Sequence, residues 1–232
     1  MSVVSPSISP SVITLAPDFT AISITVTAAS VTDESVGRRR LMQAVTAVLD
    51  GQPTWALEHF AQWGEVFRAF GAKPKRTPCS AEALHKRVMR DGNMASIDPI
   101  VDLYNAVSLF FAVPVGGENL SAYQGSPKLL RATGSEPFDT VQAGNDVIEY
   151  PEPGEVIWTD DHGVTCRRWN WRQGSRTRLS VEDQQMWFIL ESLPAMPFDA
   201  LQSAAKMLTD GLDEMMPGCN YQLTVLNAAS AS

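Results

Sequence analysis

The sequence predicts an α+β fold in one domain, and three observations lead there. Amphipathic stretches of helical period dominate the first half, after an early β-branched strand. Short apolar runs divided by Gly and Pro follow over residues 128–171. Neither an internal repeat nor a composition break divides the chain. With 232 residues, 44% of them hydrophobic and 19% charged, it can bury a sizeable core without disulfides or metals.

Residues 1–11 are Ser/Pro-rich and expected to be disordered, as is the small-residue tail at 227–232. The domain itself is expected over 12–226. Residues 21–29 alternate as a strand. Helices follow at 34–49 and at 55–70, the latter with a broad aromatic stripe and Gly71 as its stop. Residues 79–90 read as a helix with Ser80 as N-cap and basic residues near its end. Asp98-Pro99 opens a further helix to Phe111. Residues 114–119 (PVGGEN) read as a turn and a helix start. Strands are expected at 128–133, 155–159 and 164–171, helices at 180–192 and 197–215, and a last strand at 219–226.

The net charge is −8, a poor balance for non-specific nucleic-acid binding, and no DNA partner is expected. The basic residues nevertheless cluster. Lys73, Lys75, Arg76, Lys86, Arg87 and Arg90 form one group, and Arg167, Arg168, Arg172, Arg176 and Arg178 another. Three widely spaced cysteines make no disulfide framework. No secretory leader pattern or membrane-length apolar run is visible, so a cytoplasmic protein with no membrane contact is expected.

Phosphate-loop, dinucleotide and HExxH motifs are missing, and His59, His85 and His162 lie far apart. The expectation is no metal, no cofactor and no cysteine nucleophile. Three stretches remain that could carry chemistry. In the helix at 99–111, Asp102, Asn105 and Ser108 form a polar stripe on an otherwise apolar element. It serves either a structural network or a ligand cavity. Gly116-Gly117-Glu118 allows a ligand to approach the backbone, or is simply a turn. In Cys166-Arg167-Arg168-Trp169-Asn170-Trp171-Arg172, strand alternation would bury Trp169 and Trp171. It would set Arg168, Asn170 and Arg172 on the opposite face, as an anion or carbonyl site shared with Asn105 or as a solvated face.

These stretches together resemble the editing (B-three/B-four) domain of the bacterial phenylalanyl-tRNA synthetase beta chain, and more closely the free-standing proteins made of that domain alone. The likeness rests on Pro78 to Leu84, Ile97 to Asn105, Pro114 to Glu118, Gly154 to Trp158 and Cys166 to Arg172. It implies a three-layer domain with a central β-sandwich-like sheet arrangement flanked by helices. It also implies a substrate, the ester of a wrongly charged aminoacyl-tRNA. Two positions depart from the synthetase pattern. Gly116 stands where the synthetase domain has a His, and the region 171–177 lacks the editing Glu.

Three functions therefore stand side by side: a trans-acting hydrolase of misacylated tRNA, a non-catalytic tRNA or amino-acid binding module, and a small-molecule enzyme in the same pocket. For the hydrolase, Asn105 or Glu118 would position water and Arg168 would bind a carbonyl or terminal phosphate. Gly116 and Gly117 would offer N–H groups, Tyr104 would shape the amino-acid pocket, and Asn170 and Arg172 would bind substrate. Binding of aminoacylated tRNA is expected to be weak and salt-dependent.

Overall fold

The computed structural model describes residues 5–230. In chain order the elements are β1 (Ser7–Ile8), α1 (Pro10–Leu15), β2 (Thr20–Thr27), α2 (Ser35–Leu49), α3 (Ala56–Ala69), α4 (Ser80–Asp91) and α5 (Pro99–Phe111). Then come β3 (Val115–Asn119), β4 (Lys128–Arg131), β5 (Phe138–Gln142), β6 (Asn145–Glu149), β7 (Val156–Thr159), β8 (Val164–Arg167) and β9 (Arg172–Gln173). β10 (Gln185–Ser192), α6 (Phe198–Met215) and β11 (Asn220–Leu226) complete the fold.

One sheet has the order β11-β2-β10-β3, the other β1-β4-β7-β8-β9. Strand alternation divides the first sheet's side chains between two cores. Ile22, Ile24, Val26, Met186, Phe188 and Leu190 pack against α5 and α6. Trp187 and Ile189 point the other way, into a core shared with Leu129, Val156, Trp158 and Trp169 of the second sheet and its following turn. Helices, first sheet and second sheet thus form the three layers of an α+β domain. Phe60, Trp63 and Phe67 of α3 join the inter-sheet core.

Several elements differ from expectation. The segment expected to be disordered contains β1, which pairs in parallel with β4 and buries Ile8; residues 1–4 lie outside the described residues. In the tail, Ala228–Ser230 form a short 3-10 turn, and residues 231–232 lie outside the description. Residues 180–192 are not a helix. Ser180 lies in a loop and 185–192 are β10, which is paired on both sides. Met186 to Ser192 are all buried, and a run buried on both faces carries no period to separate strand from helix. The Gly-Gly segment is also a strand, β3, and not a turn.

Asp98 caps α5 as expected, accepting from the N–H groups of Ile100 and Val101. Ser80 does not cap α4: it is the first helical residue and Cys79 holds the cap position. No helix among the described residues is long and apolar enough to cross a membrane.

Candidate functional site

β3 is an edge strand, and a cavity of about 270 Å³ wraps around that edge. Its walls are α4 (Ser80, Leu84, Arg87), α5 (Tyr104, Asn105), β3 itself, β10 (Ile189, Glu191) and the chain after β8 (Trp169, Asn170, Trp171, Gln173). The backbone of β3 decides what it offers. Glu191 N–H donates to the Pro114 carbonyl at 3.0 Å, which fixes the phase of the β3–β10 ladder. Gly116 and Glu118 therefore turn their backbone groups toward β10, while Gly117 turns its own to the opposite side, where Glu118 bridges Arg178 and Asn119 N–H donates to the Thr177 carbonyl at 2.9 Å. There the Gly117 carbonyl accepts from Gln173 Nε2 at 2.9 Å.

Gly117 is also sterically required. A Cβ at this position would lie 2.8 Å from the Tyr104 ring and 3.0 Å from that of Phe188. Gly117→Ala is expected to cost about 1–3 kcal/mol through overpacking and to displace Tyr104, measurable by urea unfolding and by a change in tyrosine fluorescence.

The chemistry of the cavity is dominated by two buried carboxylates. Glu118 is 4% exposed and accepts from the Tyr123 hydroxyl; burial nevertheless pushes its pKa up to about 7. Glu191 is 1% exposed and accepts from Trp158 Nε1 at 2.9 Å and from Trp169 Nε1 and Asn170 Nδ2 at 3.0 Å. Burial, and to a lesser degree the charge of Glu118, push it up to about 7 against those three donors. Asn170 Oδ1 and Ser80 Oγ are buried and without a hydrogen-bond partner among the described residues.

The polar stripe of α5 divides. Asp102 accepts from Ile97 N–H at 2.9 Å and from the Ser96 hydroxyl, and Ser108 Oγ donates to the Val113 carbonyl at 2.7 Å. Both are structural, and only Asn105 reaches the cavity. Of the residues expected to form a site, Tyr104, Asn105, Gly116, Gly117, Glu118 and Asn170 meet there. Arg168 and Arg172 do not, so the face expected to carry Arg168, Asn170 and Arg172 together is not formed.

The reason is the backbone. β8 ends at Arg167, and Arg168 and Trp169 adopt left-handed φ of 47° and 65°. Such residues cost on the order of 1–3 kcal/mol each. They are held by Arg168 N–H donating to Glu155 Oε1 at 3.1 Å and Trp169 N–H donating to the Val156 carbonyl. Alternation stops here: Arg167 is buried, with Nε and Nη2 on Glu155 at 3.0 and 2.9 Å. Trp169 is fully buried as expected, while Trp171 is only half-buried. Arg168 Cζ lies 4.4 Å from the Trp171 ring centroid, and Arg172 contacts Glu149 and the Val141 carbonyl.

Glu191 and Gln173 also line the cavity and are not among the residues expected to form the site. The available signal is a carboxylate inside the apolar run Met186 to Leu193, since an acid is seldom fully buried without partners. Cys166 lines the cavity, and burial with the neighbouring carboxylates pushes its thiol well above the usual range, which suits an inert side chain. No three His, Cys, Asp or Glu among the described residues are grouped as metal ligands.

Comparison with known proteins gives the fold a relative. The crystal structure of an N-terminal fragment of the phenylalanyl-tRNA synthetase beta-subunit from Pyrococcus horikoshii superposes with a TM-score of 0.52 at 8% identity. The match covers 95% of this chain and 51% of that one, so the chain spans about half of that fragment. No curated protein matches. The family model described as the B3/4 domain matches residues 62–221. That stretch contains every residue of the cavity, and the chain belongs to the B3/4 domain family.

Proposed function

We propose that this protein is a cytoplasmic, tRNA-binding esterase that hydrolyses the ester of a misacylated aminoacyl-tRNA, with the edge cavity as its active site. The observation that carries this reading is the pair of buried carboxylates, Glu118 and Glu191, both held near pH 7. A group poised there at neutral pH serves as a general base.

Glu118 takes a proton from water, whose oxygen attacks the ester carbonyl carbon. The resulting oxyanion is met by the Gly117 N–H, on the side of β3 away from β10. On collapse the ester C–O bond breaks, and the ribose oxygen leaves with the proton returned by Glu118. Asn105 orients the water. Asn170, fixed through Glu191, offers its unpartnered Oδ1 to the substrate's α-ammonium group. Tyr104, Val115, Trp171 and Ile189 face the amino-acid side chain.

The test is incubation with a panel of mischarged tRNAs, counting released amino acid. One pair is expected to be hydrolysed, with a rate that rises with pH through about 7. Glu118→Gln should lower that rate by about 10²–10⁴-fold, and Asn105→Ala should lower it with tRNA affinity retained. Retained tRNA binding with no release from any pair would replace the esterase by a binding module.

A further inference from the structure

A second cavity, of about 370 Å³, lies behind the turn that follows β8, and Arg168 lines it. The two cavities share walls. Arg168 faces the second while Asn170 and Trp171 face the first, and Thr77 faces the second while Ser80 faces the first. Lys73 and Arg76 complete the basic lining. Both are exposed and form no ion pair among the described residues.

Their convergence has a local cause. Arg76 and Thr77 N–H groups both donate to the Lys73 carbonyl, at 2.8 and 3.0 Å, closing one helical turn. Residues three apart on such a turn share a side, so Lys73 and Arg76 face Arg168. Lys75 faces away, into a separate groove beside Arg68 and His85. Two acids also line the second cavity, Glu152 and Glu155. Glu155 is engaged by Arg167 and lies 3.7 Å from Arg168 Nε, so Lys73 and Arg76 are the lining cations without an ion pair among the described residues, against Glu152.

We propose that the second cavity is a phosphate subsite, in which Lys73, Arg76 and Arg168 hold the sugar–phosphate backbone of the polynucleotide whose acylated end enters the first. This rests on the esterase reading for the identity of the polynucleotide, and it locates the contact on one side of one turn. It also gives an acidic protein a confined place to meet an anionic substrate.

The experiment measures the affinity of an uncharged phenylalanine tRNA transcript against salt for the wild type and for Lys73→Glu, Arg76→Glu and Lys75→Glu. All three variants change the net charge equally. Lys73→Glu and Arg76→Glu should bind severalfold more weakly, each with a salt slope lower by about 0.7, the value for one single-strand phosphate contact. Lys75→Glu should keep the wild-type slope. Equal effects of all three variants would mean that only the overall field matters, and would overturn the subsite. Full displacement of the tRNA by low-millimolar inorganic phosphate would assign the cavity to a small anion and overturn the backbone assignment. Hydrolysis of 3′-O-tyrosyl-adenosine, which has the ester but no chain phosphate, reports on the first cavity separately. Failure on that ester together with failure on the mischarged tRNAs sinks the esterase reading, while the salt series still decides the subsite.

Discussion

Trp169→Ala should cost the fold about 3–5 kcal/mol, the range for truncating a buried aromatic, and should damage the candidate site at the same time. The indole is fully buried, with its ring edge-on to Phe19 and Trp63 at centroid distances of 5.1 and 5.4 Å. Truncation opens a void between α3, the segment before β2 and the second sheet. It also removes one of the three donors that hold Glu191. A carboxylate short of a donor is harder to ionise, so the Glu191 pKa should rise further. Trp169→Phe, which restores most of the volume but not the N–H, separates the two effects. It should recover most of the stability measured by urea unfolding while leaving Glu191 perturbed. A midpoint unchanged in Trp169→Ala would contradict the packing described.

Glu118→Gln should make the protein more stable relative to wild type as pH rises, by about 3 kcal/mol between pH 4.5 and pH 7. Glu118 has its pKa raised from 4.5 to about 7 in the fold. Between those values the folded state holds a proton that the unfolded state has released. Its contribution is therefore fully present below pH 4.5 and is lost as pH climbs through 7. Glu191 behaves alike. His59 works in the opposite sense. Its Nδ1 lies on the Ala112 carbonyl, its Nε2 accepts from Leu193 N–H, and burial lowers its pKa to about 4. Stability from His59 is present above pH 6.5 and is lost as pH falls toward 4. The wild-type profile alone is thus a partial cancellation. The difference between wild type and Glu118→Gln removes His59 from the comparison. A stability difference that stays flat from pH 4.5 to 7 would show that Glu118 ionises normally.

The local signals in the sequence were good guides wherever one face of an element meets solvent or a cap is built from neighbours. α3, α5 and α6 lie within a residue or two of their expected bounds, because an amphipathic period or an Asp-Pro start marks each. β10 had neither. Buried on both sides, it presents the apolar run of an element with no outside, and with it Glu191 was lost from view. The site was half legible for a related reason. Asn105, Glu118 and Asn170 stand out as polar groups in apolar settings, and they do meet. Extending period two through residues 168 and 169 puts Arg168 and Arg172 on the same face, which the backbone does not do. Nothing in a Cys-Arg-Arg-Trp-Asn-Trp-Arg string announces two left-handed residues, since neither is glycine.

Those two residues carry a consequence for how the chain tolerates change. Glycine at 168 or 169 would relax a backbone that L side chains adopt at a cost. The chain instead keeps an arginine that faces one cavity and a tryptophan that seals the floor of the other. Glycine at 168 would relieve that cost and take the guanidinium out of its cavity, whereas at 169 the packing of the buried indole outweighs the strain. The two left-handed residues thus differ in what a relaxed backbone would forfeit: part of one cavity's lining at 168, and the packing of the inter-sheet core at 169.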